Sequence, residues 1–301
     1  MSLSQWLLLI LLSLLWGGSF LFHGMSVHEL PPLTLVLWRA GLAALTLIPV
    51  VYASGLRLPS SLRAWSPFLV MSLLNNVLPF LMIARGQREI ASGLASVLGA
   101  TTPLFAVIFA RLFPDGEKLT AHRLAGVIVG ILGVAILVGP EALIGNTSSL
   151  LGMMLLLGAS AFYGMAAQWG RRFKDTPPLV TSATLLTCST LVMLPLALII
   201  DQPWQLPAPS ASATAAVVAL AVLSTAFAYI VYFRIMAVSG PINTTLVALL
   251  IPVSAIAFGT VFLNEVLLPR HIAGALVIGL ALVILDGRVV VRLKKHLVWR
   301  A

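Results

Sequence analysis

Long apolar stretches alternate with short polar connectors along the whole sequence. Ten such stretches lie near residues 5–24, 33–53, 65–84, 91–112, 122–140, 149–170, 179–200, 212–234, 242–263 and 271–290. Each holds about 20 residues, which as a helix cross a hydrocarbon core of about 30 Å. The first stretch is expected to be retained, because no basic segment precedes it and no small-x-small cleavage site follows it. The pattern predicts an all-α membrane protein with ten transmembrane helices.

Basic residues are distributed unevenly over the connectors. With the N-terminus inside, three of the 18 Lys and Arg (Arg85, Arg88 and Arg270) fall on outer connectors, and Arg39 falls within the second stretch. The other fourteen fall on inner connectors or on the C-terminal tail. Cytoplasmic connectors of membrane proteins carry such an excess. We therefore expect a multi-pass protein of the bacterial inner membrane with both termini in the cytoplasm.

The composition argues against other classes of protein. Hydrophobic residues make up 60% of the 301 and charged residues 9%, whereas a soluble domain has about 25% charged residues. The formal net charge is +9, but the basic residues lie in short clusters between apolar stretches, so no nucleic-acid partner is expected. The expected partners are the lipid bilayer and a small-molecule substrate, without cofactor or metal. The oligomeric state stays open, and a monomer is compatible with the sequence.

The two halves of the sequence resemble each other. Residues of one half recur at nearly constant spacing in the other: Pro31, Pro32 and Pro49 as Pro177, Pro178 and Pro195, Glu117 and Gly126 as Glu265 and Gly274, and Pro103 as Pro252. We therefore divide the chain into a first five-helix repeat, residues 1–140, and a second, residues 141–301, which includes the basic tail. Because five is odd, the second repeat must enter the membrane from the opposite face. Inverted repeats of this kind place the substrate site near the bilayer midplane.

Several short motifs, taken in order, carry a resemblance to a known family. They are Leu-Leu-Trp-Gly-Gly-Ser-Phe (14–20), Trp38-Arg39-Ala40, Ala91-Ser92-Gly93-Leu94-Ala95 and Gly116-Glu117, the last echoed by Asn264-Glu265. With them the whole chain resembles the ten-span, EamA-type members of the drug/metabolite transporter superfamily. Within that superfamily it is most similar to bacterial exporters of aromatic amino acids. The resemblance implies export of amino acids or other metabolites.

Polar residues in the middle of apolar stretches are the first candidates for substrate contacts. Asn75 and Asn76 lie at the centre of the third stretch, and Ser224 and Thr225 lie in the eighth stretch, its counterpart in the second repeat. A side-chain amide in hydrocarbon is costly unless it is paired. The amides are therefore expected to face either a cavity or another helix, and both alternatives stay open.

Aromatic residues at a similar depth complete the predicted substrate site. They are Trp16 and Phe20 in the first stretch, Tyr163 in the sixth and Tyr229 in the eighth. Ligand sites are usually apolar cavities with a few polar groups, and flat rings suit an aromatic or aliphatic substrate side chain. Packing within the bundle is the alternative role for each ring.

Five further residues are assigned gating or structural roles. Arg39 is the one charged residue well inside a stretch. Its guanidinium could hold a substrate carboxylate, but we favour a structural or gating role. Pro103 and Pro252 each remove a helical hydrogen bond and favour a kink, and Pro79 frees a backbone carbonyl near the amides. Gln168, near the cytoplasmic end of the sixth stretch, is a candidate gate contact, with anchoring at the membrane interface as the alternative.

Acidic and imidazole side chains fall in connectors or at the ends of stretches. This holds for all nine Asp and Glu and for all five His, so no buried proton relay is expected. It also argues against an intramembrane enzyme, which needs such groups at depth. We therefore expect a secondary transporter, exporter or facilitator, of small neutral or zwitterionic metabolites that works by alternating access around a midplane cavity. Drugs and purines are alternative substrates, and a lipid scramblase or a scaffold is the alternative class.

Overall fold

The computed structural model of the protein describes residues 2–111, 120–139, 147–244 and 246–286. Within these ranges the regular structure is entirely helical. The Gly116-Glu117 motif, the basic tail after residue 286 and the expected boundary between residues 140 and 141 lie outside the described residues.

Ten helices follow one another along the described residues. They are α1 (Leu3–Ser26), α2 (Pro32–Ala53), α3 (Leu62–Gly86), α4 (Ser92–Ala110), α5 (Ala121–Val138), α6 (Thr147–Trp169), α7 (Pro178–Leu196), α8 (211–244), α9 (Val247–Phe262) and α10 (Pro269–Asp286). By length and apolar character, eight of them (α1–α8) can cross a membrane. Helix α9 and the apolar part of α10, Pro269–Leu285, are shorter. The chain is thus a multi-span, all-helical membrane protein.

Short polar residues and prolines define where the helices begin. Ser2, Ser61 and Ser210 cap α1, α3 and α8, each accepting a backbone N–H three residues further on with its side-chain oxygen. Pro32 and Pro178 are the first residues of α2 and α7. A proline suits that position because its φ is already helical and its missing N–H would have no partner there.

Two helices differ from the predicted stretches. A connector was expected between residues 234 and 242, but the backbone of α8 stays helical through Ser239, Gly240 and Pro241 to Thr244. The prediction of a break there was wrong: the fixed φ of proline is compatible with a helix, so Pro near a helix end need not terminate it. The fourth stretch is interrupted instead, because α4 consists of Ser92–Gly99 and Thr102–Ala110.

Corresponding helices of the two halves of the chain pack against each other. The pairs are α2 with α7, α4 with α9 and α5 with α10, while α1 packs on α8 and α9, and α3 on α6. The α5–α10 contact is close because of its glycines. A Cβ on Gly126 would lie 3.1 Å from the carbonyl oxygen of Ala281, and one on Gly274 would lie 2.9 Å from that of Gly133. Small residues allow such backbone approach between membrane helices.

The outside of the bundle is apolar and part of its inside is polar. Leu45 of α2 and Leu276 of α10 are 68% and 71% exposed, whereas Asn76 of α3 and Ser189 of α7 are completely buried. A soluble protein would rarely expose such large apolar surfaces. The arrangement fits a bundle that is surrounded by lipid and holds polar side chains in its interior.

Candidate functional site

Two helices in corresponding positions contain a π-helical turn. The turns span Leu73–Val77 in α3 and Val222–Phe227 in α8. The first carries Asn75 and Asn76, and the second carries Ser224 and Thr225. A π turn inserts one residue into a helix and occurs frequently at functional sites. The sequence pattern indicated the four polar residues but not the turns. Pro79, just after the first turn, is the one sign of an irregular backbone there.

The Thr225 side chain accommodates the irregular backbone of its turn. Its hydroxyl Oγ1 donates to the carbonyl oxygen of Leu220 at 2.8 Å, five residues earlier. Buried Ser and Thr side chains in helices commonly return their hydroxyl proton to the backbone of the preceding turn in this way. Thr225 is therefore tied to the backbone of α8 just before the π turn.

An amide network links α3 to α7 and α8. Asn75 Nδ2 donates to Asn76 Oδ1 at 2.9 Å and to the Tyr229 hydroxyl oxygen at 3.1 Å. Asn76 Nδ2 donates to Ser189 Oγ at 3.1 Å. The structure thus brings together Asn75, Asn76 and Tyr229 from the predicted set and adds Ser189. A serine in an apolar helix is common, so its sequence position gave no distinct signal.

Arg39 lies beside this network and is 6% exposed. Its Nε donates to Thr225 Oγ1 at 3.1 Å, and its guanidinium carbon lies 3.5 Å from the centroid of the Phe80 ring. A guanidinium over a ring face is stabilised by the ring quadrupole. These two contacts fix the guanidinium between α3 and α8.

One of the histidines is buried in the structure. His23 lies near the end of α1, as its sequence position indicated, but its side chain is completely buried. Its Nδ1 contacts the carbonyl oxygen of Ser19 at 2.8 Å. The sequence placed all five His in connectors or at the ends of stretches and did not indicate that one of them is buried, because position along a helix gives depth but not the direction of the side chain.

Aromatic rings connect α1 to Tyr229. The Trp16 and Tyr232 ring centroids are 5.4 Å apart, those of Tyr232 and Phe233 5.1 Å, and those of Phe233 and Tyr229 6.3 Å. Trp16 thus joins the amide network through a row of rings on α8. Such offset or edge contacts are the favoured arrangement of aromatic pairs.

The other two predicted aromatic residues, Phe20 and Tyr163, make different contacts. The Phe20 ring faces α4, 3.4 Å from the position of a Cβ on Gly99, and the Phe20 carbonyl accepts Gln87 Nε2 at 2.9 Å. Tyr163 of α6 packs in the apolar core beside α3. The described hydrogen bonds and ring contacts do not join Phe20 or Tyr163 to the amides.

The predicted gate and hinge residues occupy different local structures. Gln168 Nε2 donates to the carbonyl oxygen of Ala106 at 3.0 Å and so ties α6 to α4. Pro103 follows the break in α4, whereas α9 runs without interruption through Pro252. Pro79 is buried in the segment that follows the π turn of α3.

Carboxylates cap three helices at one end of the bundle, where the α1–α2, α3–α4, α7–α8 and α9–α10 connections meet; we call it the α1–α2 end. Glu265 accepts the N–H of Ser92 at 2.7 Å and that of Gly93 at 3.1 Å, at the start of α4. Asp201 accepts the Thr34 N–H at 2.8 Å in the first turn of α2. A carboxylate is favourable at a helix N-terminus, where N–H groups lack partners.

Glu29 makes the third such cap at the start of α8. It accepts the N–H of Ser210 at 2.6 Å and its hydroxyl at 2.7 Å. These bonds, the backbone one first, hold the pKa of Glu29 below its usual value. A hydrogen bond from Arg85 likewise lowers the pKa of Glu89. Each of the three caps joins an element of one half of the chain to a helix of the other, a role that sequence position alone did not reveal.

A pocket of about 390 Å³ opens at the same end. Charged and polar side chains from three connections line it, among them His28, Arg88, Glu89 and Glu265. Arg88 spans its wall, donating from Nε to the carbonyl of Val27 at 2.7 Å and from Nη2 to that of Leu30 at 3.0 Å. Among the described residues no cluster of His, Cys, Asp or Glu could hold a metal ion.

Known proteins of similar sequence are described as transporters. The chain is 26% identical over 275 residues to the uncharacterized transporter YoaV of Bacillus subtilis, covering 90% of this chain and 92% of that one. It is 27% identical over 253 residues to the uncharacterized inner membrane transporter YedA of Escherichia coli, covering 84% and 80%. It is 24% identical over 292 residues to an uncharacterized transporter of Archaeoglobus fulgidus, covering 96% and 99%.

The fold and the family model agree with these similarities. The chain superposes on the crystal structure of another protein with a TM-score of 0.67 and 19% sequence identity, covering 98% of this chain and 100% of that one, which supports a shared fold. The model of the EamA-like transporter family matches twice, over residues 4–139 and 150–285. This chain therefore belongs to the EamA-like transporter family of multi-span membrane proteins.

Proposed function

We propose that this transporter moves small neutral or zwitterionic metabolites, most of all amino acids including aromatic ones, as an exporter or a facilitator. The observation that carries the proposal is the meeting of buried and partly buried polar side chains from both halves of the chain. Asn75 of α3 bonds Tyr229 of α8, and Arg39 of α2 bonds Thr225 of α8. Buried polar groups in a membrane bundle are functional candidates, and the row of rings beside them offers an apolar surface.

The transport cycle we propose is alternating access between two inverted five-helix repeats, residues 1–140 and 141–301. Three observations support it: the double match of the family model, the pairing of α2, α4 and α5 with α7, α9 and α10, and the π turns in α3 and α8. In such transporters the site stays near the midplane while the two halves rock around it. The carboxylate caps, which join the halves, would then break and re-form in each cycle.

The orientation we propose has both termini in the cytoplasm. The excess of Lys and Arg on alternate connectors supports it, and the relative from Escherichia coli is described as an inner membrane transporter. We therefore assign the protein to the inner membrane. The α1–α2 end would face the outside.

Amino acids are proposed as substrates because the site combines neutral amides, one guanidinium and aromatic rings. A proteoliposome assay tests this directly: vesicles with purified protein are loaded with labelled phenylalanine, and efflux is competed with amino acids, purines and sugars. Selective competition by amino acids is the expected result. Competition by purines alone would indicate that purines are the substrates instead. Movement of labelled lipid without solute flux would indicate a scramblase. Flux of neither solute nor lipid would overturn the transport mechanism.

A further inference from the structure

Three buried polar atoms lack a hydrogen-bond partner among the described residues near the π turn of α8. They are Arg39 Nη1, His23 Nε2 and Ser224 Oγ. Their residues are 6%, 0% and 1% exposed. A buried polar group without a hydrogen-bond partner is costly, and each such group in a native structure calls for an explanation. A ligand that completes the missing hydrogen bonds is one such explanation.

The three residues belong to one place in the fold. Helices α1 and α2 both pack on the π turn Val222–Phe227. Arg39 bonds Thr225, the residue next to Ser224. Ser224 Oγ lies 3.9 Å from the position of a Cβ on Gly18 of α1, and His23 lies on the same helix five residues further, about 7.5 Å along its axis. The three residues therefore lie on the helices that meet at this turn, α1, α2 and α8.

The chemistry of these atoms differs in a way that selects a ligand. The Arg39 guanidinium is fixed by Phe80 and Thr225, which leaves Nη1 free to donate, and the Ser224 hydroxyl is a second donor. His23 Nδ1 faces the carbonyl oxygen of Ser19, which can only accept, so Nδ1 carries the proton. In the neutral ring, Nε2 is then an acceptor. Two donors suit a carboxylate, and one acceptor suits an ammonium group.

We propose that Arg39 and Ser224 bind the carboxylate of a zwitterionic substrate and that His23 Nε2 accepts a hydrogen bond from its amino group. The inference rests on the proposed transport of amino acids and deepens it, because it assigns Arg39 to substrate rather than to structure alone. An amine without a carboxylate would place a second cation beside Arg39. An acid without an amino group would leave His23 Nε2 unpaired. The site therefore recognises the head group of an α-amino acid.

Binding of matched probes to the purified full-length protein in detergent tests the proposal. Phenylalanine, 3-phenylpropionate and phenethylamine differ by one head group each, and leucine, 4-methylpentanoate and isopentylamine form a parallel series; isothermal titration gives the affinities. In wild type we expect the amino acid to bind about tenfold more tightly than the acid, and the amine not to bind. Arg39→Gln should weaken the binding of both the amino acid and the acid by about 10–100-fold, because a charge-assisted hydrogen bond is lost.

Two further variants separate the roles within the site. His23→Phe keeps a buried ring of similar size. It should lower the affinity for the amino acid to that for the acid, while the affinity for the acid stays unchanged. Ser224→Ala should lower the affinities for the amino acid and for the acid by about two- to tenfold. Arg39→Lys should restore part of the carboxylate binding. Arg234→Gln, an exposed arginine on α8, is the matched control and should change none of the affinities.

The outcomes distinguish this inference from the transport proposal. Amine binding as tight as amino acid binding, or unchanged affinities in His23→Phe and Ser224→Ala, overturns the head-group assignment, even if Arg39→Gln does not fold. If wild type binds none of the probes, the assignment also fails. Flux of other solutes through wild-type proteoliposomes would then leave a transporter with a different substrate, whereas absence of all flux would remove both proposals.

Discussion

Asn75 and Asn76 are neighbours in one π turn but differ in burial. Asn76 is completely buried, accepts from Asn75 and donates to Ser189, so it joins α3 to α7 inside the bundle. Asn75 is partly exposed and donates to Tyr229. At the scale of single residues, Asn76 therefore holds the helices together, whereas Asn75 is accessible to a ligand.

This difference predicts separate effects of two matched variants. Asn76→Ala removes the three bonds of its side chain, from Asn75 and Tyr229 and to Ser189. The partners left unsatisfied should lower the free energy of unfolding by about 1–3 kcal/mol. Asn75→Ala should leave stability nearly unchanged and weaken apparent substrate affinity about two- to tenfold. Thermal unfolding in detergent and proteoliposome efflux measure the two effects. The reverse pattern, a stable Asn76→Ala and an unfolded Asn75→Ala, would contradict this assignment.

Trp16 contributes ring surface without a described hydrogen bond to the amides. Trp16→Ala should therefore reduce transport of phenylalanine more than transport of alanine, because a lost aromatic contact of about 0.5–1.5 kcal/mol matters only for a ring-bearing substrate. Trp204→Ala, an exposed tryptophan on the α7–α8 connection, serves as the control. Equal losses for both amino acids would show that Trp16 acts through packing of α1 on α8.

At the scale of elements, the sequence predicts helices well and their irregularities poorly. The apolar stretches gave ten helices, and Asn75 and Asn76 were found because amides interrupt an apolar pattern. The π turns were not predicted, since an inserted residue leaves no mark in hydropathy. The burial of His23 was not predicted for a related reason: hydropathy gives depth in the membrane, while burial depends on which neighbour the side chain faces. The caps by Glu29, Asp201 and Glu265 depend on contacts between distant elements.

The Glu265 cap needs a glycine in α9. A Cβ on Gly259 would collide with Glu265 Oε2 and lie 2.9 Å from Ser92 Oγ. Gly259→Ala should therefore displace the carboxylate from the start of α4 and lower the free energy of unfolding by about 1–3 kcal/mol. Gly279→Ala in α10 is the matched control, because nothing lies within 4 Å of its Cβ position, and alanine there should be neutral or slightly stabilising. Equal melting temperatures of the two variants would mean that the cap tolerates displacement.

The Glu29 cap predicts a dependence of stability on pH. Because Ser210 holds the pKa of Glu29 below its usual value, the cap's contribution is present above the unfolded-state pKa of about 4.3. It is lost as the pH falls through the lower folded-state pKa. The difference in melting temperature between wild type and Glu29→Gln should therefore shrink below about pH 4. In a Ser210→Ala background the backbone N–H still donates to Glu29 but the hydroxyl bond is gone, so the same substitution should have a smaller effect with the same pH dependence. An undiminished difference there would show that the hydroxyl bond contributes nothing to the cap.

At the scale of the whole molecule, the charge pattern and the helix lengths both bear on the number of membrane spans. Eight helices are long and apolar enough to cross a membrane, whereas α9 and the apolar part of α10 are shorter. Eight or ten crossings would both leave the termini on the same side, so labelling the termini cannot distinguish them. The α9–α10 connection can, because it lies outside in a ten-span protein and inside if neither helix crosses.

Single cysteines placed on the connections should therefore settle the number of spans. Cys188 is the one native cysteine and is buried, so Cys188→Ser gives a clean background. His28→Cys, Gln205→Cys and Val266→Cys should react with a membrane-impermeant maleimide in intact cells, since the proposed orientation puts all three connections outside. Gly55→Cys and Asp175→Cys, on the opposite side, should react only after permeabilisation. The decisive position is Val266, which is 82% exposed and lies between α9 and α10. Protection of Val266→Cys with labelling of His28→Cys and Gln205→Cys would leave eight spans, and with them no pair of inverted five-helix repeats.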